Sequence, residues 1–295
     1  MKKLFFVFVV SAIGLSASGQ TGTYAQEIEQ WVKGRYAALK NTKSGWLNLA
    51  GLYWLEEGKN SFGTATGNKI VFPKGTIPAK AGYFELNDRQ VTLVPEKGVD
   101  IQVNGKPVTR QLIYSADSSR SAVSAYGSLH WTIIRREDRI GIRLRNDLSE
   151  SLLHFKGIER YPADTAWRLE AVLKEPLFPT SIPIKNVLGQ TIQMKLLGKL
   201  IFTIQGKVYS LDAVEEGEDE LFVIFGDATN AHTTYGAGRF MYVPKPDASG
   251  KTVLDFNKAF NPPCAFTPFA TCPLPPQQNV LPVAITAGEK DYGKH

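Results

Sequence analysis

Residues 129–145 read LHWTIIRREDRIGIRLR, and this stretch decides the fold class. Leu129 to Arg135 and Ile140 to Arg145 both alternate apolar with polar residues and flank Glu137-Asp138, which is the pattern of two strands joined by a tight turn. In the second strand Ile140, Ile142 and Leu144 share one face, while Arg139, Arg143 and Arg145 share the other. That arginine face has two readings: the wet side of a sheet, or a surface for an anion.

The same period-two pattern extends outward in both directions. On the amino-terminal side, strands are expected at 46–55, 60–65, 69–72, 82–87 and 90–94. Asp100 to Val103 alternates and meets Asn104-Gly105, whose tolerance of positive φ makes it a strong hairpin signal. A break at Asn146-Asp147-Leu148-Ser149-Glu150 follows the arginine strand. Beyond it, strands are expected at 152–156, 167–174, 182–187, 190–196, 199–205, 207–213, 220–226, 234–243 and 251–256. Gly189-Gln190, Gly198-Lys199 and Gly206-Lys207 punctuate three of these as turns. The fold class is therefore all-β, of sandwich or barrel type, divided into β-rich halves at 46–150 and 151–295. One helix precedes them within residues 20–45. Thr23 and Gln26 form a capping box, and Ile28, Trp31, Val32 and Leu39 recur at helical spacing through about Lys40. The spacing predicts that this stripe packs on a sheet.

The first residues carry a targeting pattern. Lys2 and Lys3 precede an apolar run from Leu4 to Leu15 and the small-residue stretch SASGQ, which reads as a signal peptide cleaved after Gly19. The run is shorter than the ~20 residues a membrane span needs, so no transmembrane segment is expected in the mature chain. Removing residues 1–19 takes away Lys2 and Lys3 and leaves 32 basic and 28 acidic residues, a net charge of +4. The expected location is periplasmic or secreted, where nucleic acid is not a partner. An even pair of cysteines, Cys264 and Cys272, fits a disulfide in an oxidising compartment, with two free thiols as the other reading. The 4 histidines are scattered, so no metal site is indicated, and no cofactor fingerprint appears.

Candidate chemistry concentrates in two segments. The first follows the strand Leu221 to Phe225 and holds Asp227, Thr229, His232, Tyr235 and Arg239. An aspartate at a strand end is a rigidly supported polar group, able to act as a base or to orient a partner. The alternative is an Asx turn at Asp227 or Asn230. The second segment, residues 253–289, contains 7 of the 17 prolines between Pro262 and Pro282 and both cysteines. Asp255, Asn257 and Asn261 stand at its start and Glu289 near its end. They either satisfy amides left open by irregular backbone or line a pocket. On the functional reading Asp227, His232, Arg239, Asp255 and Glu289 are catalytic, and Tyr235, Asn257 and Asn261 bind ligand. Cys264 and Cys272 brace the loop as a bridge or act as thiols. His154, in the apolar strand expected at 152–156, reads as a core histidine.

Four stretches together resemble the family catalogued as DUF1684, a domain of unknown function. They are WLNLAGLYWLEEGKNSFG (46–63), GIRLRNDLSESLLHFKGIERYPAD (141–164), VIFGDATNAHTTYGAGRFMY (223–242), and DFNKAFNPPCAFTPFATCPLPPQQNVLP with AGEK (255–290). The resemblance spans about residues 46–290 and implies no activity, substrate or cofactor. Family members without export signals carry the same cysteine region, which leaves a thiol or packing role open. The strand–Asn-Gly–strand arrangement near 99–113 also faintly resembles forkhead-associated sandwiches. The expected function is an exported protein with a site for a small-molecule or envelope-derived ligand. Metal-independent hydrolysis, with a carboxylate or histidine base and Arg239 as an electrostatic clamp, is the reaction class considered. A non-catalytic binding module and a structural envelope protein are the alternatives.

Overall fold

The computed structural model describes residues 23–117, 121–218 and 220–293; the expected export signal at 1–19 lies outside them. The chain is mostly β, with one long helix at Tyr24–Lys40. That helix starts as its sequence dictates. The Gln26 amide donates to Thr23 Oγ1 at 3.4 Å and the Thr23 amide to Gln26 Oε1 at 2.8 Å, closing the capping box. It stops at Asn41, whose Oδ1 accepts the amides of Lys43 and Ser44 at 2.9 and 3.0 Å.

The helix rests partly on the carboxy-terminal segment, while Trp31 of its stripe packs against a cluster that includes the strand residues Ile184, Val214, Phe222, Ile224 and Phe240. Trp31 meets Phe260 with ring centroids 6.5 Å apart, and Tyr36 sits edge-on to Phe155 at 5.3 Å. The sheet face that carries Val223 and Phe225 is covered by the carboxy-terminal segment. Phe256, Ala259, Leu281, Ile285 and Ala287 from the carboxy-terminal segment share a core with Leu200, Phe202, Leu211, Val223, Phe225 and Met241 of the strands.

Strands between residues 49 and 146 form two sheets. One runs in the order Leu49–Trp54, Arg139–Asn146, Leu129–Arg136, Ser124–Tyr126, Gln102–Val103, Lys106–Pro107. The other runs Ile70–Val71, Gly58–Gly63, Gly82–Asn87, Gln90–Pro95, Gln111–Ser115. Their shared core contains an aromatic cluster in which Phe62 and Phe84 lie 4.4 Å apart and Trp131 presents edges to Phe62, Phe72 and Phe84. Both hairpins expected from sequence are present. Arg136 pairs with Arg139 across Glu137-Asp138, and Asn104-Gly105, with φ of 50° and 78°, joins Gln102–Val103 to Lys106–Pro107.

The carboxy-terminal sheet has seven strands. Its order is Arg239–Pro244, Glu220–Phe225, Lys207–Glu215, Thr191–Ile204, Arg168–Lys174, Lys251–Asp255, with Thr180–Lys185 also on Thr191–Ile204. Two expectations fail here for local reasons. Gly198-Lys199 is not a turn: the strand Thr191–Ile204 runs through it, and the register against Lys207–Glu215 shifts between Leu196 and Gly198. A bulge uses the glycine signal that a turn would use. Residues 152–156 are not a strand either. Glu150–Leu153 is a helical turn capped by His154, whose Nδ1 lies 2.7 Å from Glu150 Oε2. That i,i+4 pair holds His154 at the surface, so it is not a core histidine. No helix among the described residues is long and apolar enough to cross a membrane.

Candidate functional site

Asp227 and Arg239 meet at the end of adjacent strands. Arg239 Nη2 donates to Asp227 Oδ2 at 2.7 Å, and neither side chain reaches solvent. The same guanidinium holds the backbone of the last segment, donating to the carbonyls of Ile285 at 3.0 Å, Glu289 at 3.4 Å and Ala287. Asp227 Oδ1 accepts from the Thr229 amide at 2.8 Å, the Thr229 hydroxyl at 2.6 Å and the Ile285 amide at 3.1 Å. Every oxygen of this carboxylate is occupied by the protein. Asn230 forms the expected turn, accepting the Asp227 amide at 2.6 Å and donating to the Tyr235 carbonyl at 2.8 Å.

Glu289 and Asn261 form a second knot under the helix. Glu289 Oε1 accepts from Arg35 Nε at 3.1 Å and Oε2 from the Asn261 amide at 2.7 Å, while Arg35 Nη2 donates to the Asn261 carbonyl at 2.9 Å. Gly288 makes this possible. Its φ of +79° is left-handed, and a Cβ there would stand 2.5 Å from the Ala259 carbonyl oxygen. Next to it, Asp255 Oδ1 accepts from the Tyr24 hydroxyl at 2.8 Å and from the Asn257 amide at 3.1 Å. Asn257 Nδ2 donates to the Asp164 carbonyl at 2.8 Å, and its Oδ1 accepts the Asp164 amide at 3.0 Å. Arg160 donates to the Asn257 carbonyl and lies over the Trp31 ring at 5.1 Å. Burial pulls its guanidinium below the usual arginine range, against the opposing pull of Glu289. Burial, followed by the hydrogen bond to Asp255, pushes the Tyr24 hydroxyl well above the usual tyrosine range.

The tail therefore does gather Asp227, Arg239, Asp255, Asn257, Asn261 and Glu289, but in the interior, where their polar atoms mainly serve its own backbone. His232 lies apart on an exposed turn, its amide bonded to the Thr229 carbonyl at 3.1 Å. Tyr235 is half-buried in the cluster of Leu39, Leu47 and Phe266, and burial raises its hydroxyl pKa. Cys264 and Cys272 are joined as a disulfide, with Cα atoms 6.2 Å apart. Among the described residues no three His, Cys, Asp or Glu side chains gather as a metal site would need.

A cavity of about 360 Å³ opens elsewhere, between the two β-rich halves. The amino-terminal half contributes Trp46, Leu49, Arg136 and Arg143. The carboxy-terminal sheet contributes Ile192, Met194, Phe222, Phe240 and Tyr242, with Glu216 just past the strand Lys207–Glu215. The disulfide loop closes one wall with Phe260, Pro263, Thr271 and Cys272. Phe222 and Tyr242 pack at 5.2 Å, and Tyr242 stacks on Phe260 at 5.6 Å.

The charged groups of this cavity are poorly matched. Arg145 is bonded to Asn48 Oδ1 at 2.7 Å and to the Gly45 carbonyl, and Arg139 rests on the Trp54 ring at 4.3 Å. Arg143, between them on the same face, has no hydrogen-bond or ion-pair partner among the described residues, and its Nε is buried. Burial first, then the like charges of Arg136 and Arg145, bring its guanidinium down to about 10. Across the cavity, Tyr242 donates to Glu216 Oε2 at 2.8 Å. Loss of water raises the Glu216 carboxyl above its usual range, with that hydrogen bond acting in opposition. The alternating arginines were the one sequence signal for this site.

A family model described as "Protein of unknown function (DUF1684)" matches residues 153–290, a narrower span than the resemblance read from the sequence. Curated proteins give no match. Among solved structures, the chain is similar to an uncharacterised protein of Haloarcula marismortui determined by solution NMR. The two are 30% identical over 50% of this chain and 82% of that one, with a TM-score of 0.42. Two FHA domains also match, one from a study of phosphothreonine-dependent interactions and one, from FhaA, in complex with an intracellular domain. Each is 15% identical with a TM-score of 0.23, over 32% of this chain and 92% and 97% of theirs. At those values the FHA likeness carries no argument about fold or function.

Proposed function

The chain belongs to the DUF1684 family of proteins of unknown function, and on that premise we propose that it is a binding module for a small organic anion, seated in the cavity between its β-rich halves. One observation carries this reading: Arg143 is a largely desolvated cation with no counter-charge, set in an aromatic-lined hollow. A buried unpaired charge destabilises a fold by several kcal/mol in the general case, and a bound anion removes that penalty. Arg136, in the same wall, adds a second guanidinium suited to a carboxylate or phosphate.

Hydrolysis at the acidic residues of the tail has less support. A general base needs a free lone pair within reach of a substrate. Asp227 and Glu289 spend theirs on Arg239, Arg35 and backbone amides, away from the cavity lining. Asp227, Arg239 and Glu289 are assigned a structural role in this proposal, and Asp255, whose Oδ2 has no hydrogen-bond partner among the described residues, lies outside the cavity lining. Export to a periplasmic or extracellular location belongs to the same reading. It is supported by the targeting pattern in residues 1–19 and by the bridge Cys264–Cys272.

Trp46 lines the cavity, so its fluorescence reports occupancy directly. Titration with a panel of small aromatic carboxylates and phosphates is expected to give saturable quenching that Arg143→Gln weakens by about tenfold or more. A flat titration for every anion up to about 10 mM would overturn the proposal, since a specific site binds more tightly than that.

A further inference from the structure

The cavity carries opposite charges on opposite walls, and they do not neutralise one another. Arg136 and Arg143 project from the hairpin of residues 129–146, whereas Glu216 stands on the facing sheet. Glu216 forms no ion pair with any base among the described residues; its one hydrogen bond comes from Tyr242 at 2.8 Å, to Oε2, which leaves Oε1 open to a further donor. Phe222 and Phe260, which pack against the ring of Tyr242, line the same cavity as that carboxylate. A carboxylate framed by aromatic faces is suited to an ammonium group, which gains both a charged hydrogen bond and the attraction of the ring faces. Ile192 and Met194 supply apolar surface in the same hollow.

We infer that the ligand is a zwitterion with an apolar body, an amino acid or very short peptide, whose acidic group lies on Arg143 and Arg136 and whose ammonium lies on Glu216 and the adjacent rings. The inference rests on the reading of the cavity as an anion site and adds the second pole. The volume, about 360 Å³, falls at the lower end of small-molecule pockets and suits one such molecule rather than a polymer. The two poles also belong to different halves of the chain, so a zwitterion bridges them, while a simple anion engages one half alone.

Calorimetric titration with three probes separates the possibilities. Phenylalanine carries both charges, hydrocinnamate lacks the ammonium, and phenethylamine lacks the carboxylate. Phenylalanine is expected to bind the wild-type protein at least about tenfold more tightly than either analogue. Glu216→Gln is expected to reduce phenylalanine to the affinity of hydrocinnamate, and Arg143→Gln to abolish binding of both. Unliganded melting curves of the two variants establish that they are folded. Equal affinity for phenylalanine and hydrocinnamate in the wild type would overturn the zwitterion while leaving the anion site intact. Binding of phenethylamine alone, or of none of the three, would overturn both.

Discussion

Arg239 grips Asp227 at 2.7 Å with neither side chain exposed, and its Nη1 and Nη2 also donate to the carbonyls of residues 285, 287 and 289. The pair is the clasp by which the last segment is fastened to the strand ends. Asp227→Asn leaves the guanidinium buried without a counter-charge, a change that costs on the order of 3–5 kcal/mol. Urea denaturation is expected to show that loss in the midpoint. A destabilisation under about 1 kcal/mol would contradict the role assigned to the pair.

Arg143 predicts the opposite sign. Replacing it by leucine removes a desolvated, unpaired cation, so Arg143→Leu is expected to raise the stability of the unliganded protein by roughly 1–2 kcal/mol while abolishing anion binding. Its guanidinium, although brought down to about 10, is protonated in both folded and unfolded chains throughout neutral pH. The gain should therefore be constant between about pH 5 and 8. Thermal melts across that range test both the sign and the flatness.

Glu216 supplies the pH-dependent counterpart. Its folded-state pKa is raised, so its favourable contribution is complete below the unfolded value and disappears as pH rises through the folded one. At neutral pH the carboxylate is thus a small liability to the empty protein. Glu216→Gln is expected to melt slightly above wild type at pH 7, with the difference closing below about pH 4. A difference that widens on acidification would have the wrong sign.

One anchor of the helix at Tyr24–Lys40 is Arg35, which binds Glu289 and lies over Trp46, Phe260 and Phe266 at 5.1, 4.5 and 5.8 Å. Arg35→Ala removes the ion pair and all three ring contacts. It should cost about 3 kcal/mol or more, because Glu289 is left buried with a single amide donor. Limited trypsin digestion followed by mass spectrometry is expected to show early cleavage near Lys40 and Lys43. Unchanged protection there would mean that the helix is held by other contacts.

What was legible in the sequence was local. Thr23 and Gln26, Asn104-Gly105 and Glu137-Asp138 act over three or four residues, and each formed the cap or turn expected of it. Gly198 misled because a bulge and a turn call on the same conformational freedom, and only the partner strand decides between them. The acidic and amide residues of the tail misled for a deeper reason. Polar side chains scattered among prolines look alike whether they serve a ligand or their own irregular backbone, and here backbone took most of them. Arg139, Arg143 and Arg145 were equivalent on the strand. Packing alone gave Trp54 to one, Asn48 to another and nothing to Arg143.

The ion pair of Arg35 and Glu289 spans 254 positions, so the helix at Tyr24–Lys40 is completed by a segment far from it in the chain. Until the segment after Asp255 is in place, Arg35 lacks its counter-charge and Trp31 lacks the ring of Phe260. Truncation before Glu289 removes partners of Arg35, Arg239 and Asn261 at one stroke, and a truncation series read by urea denaturation is expected to show its largest loss there.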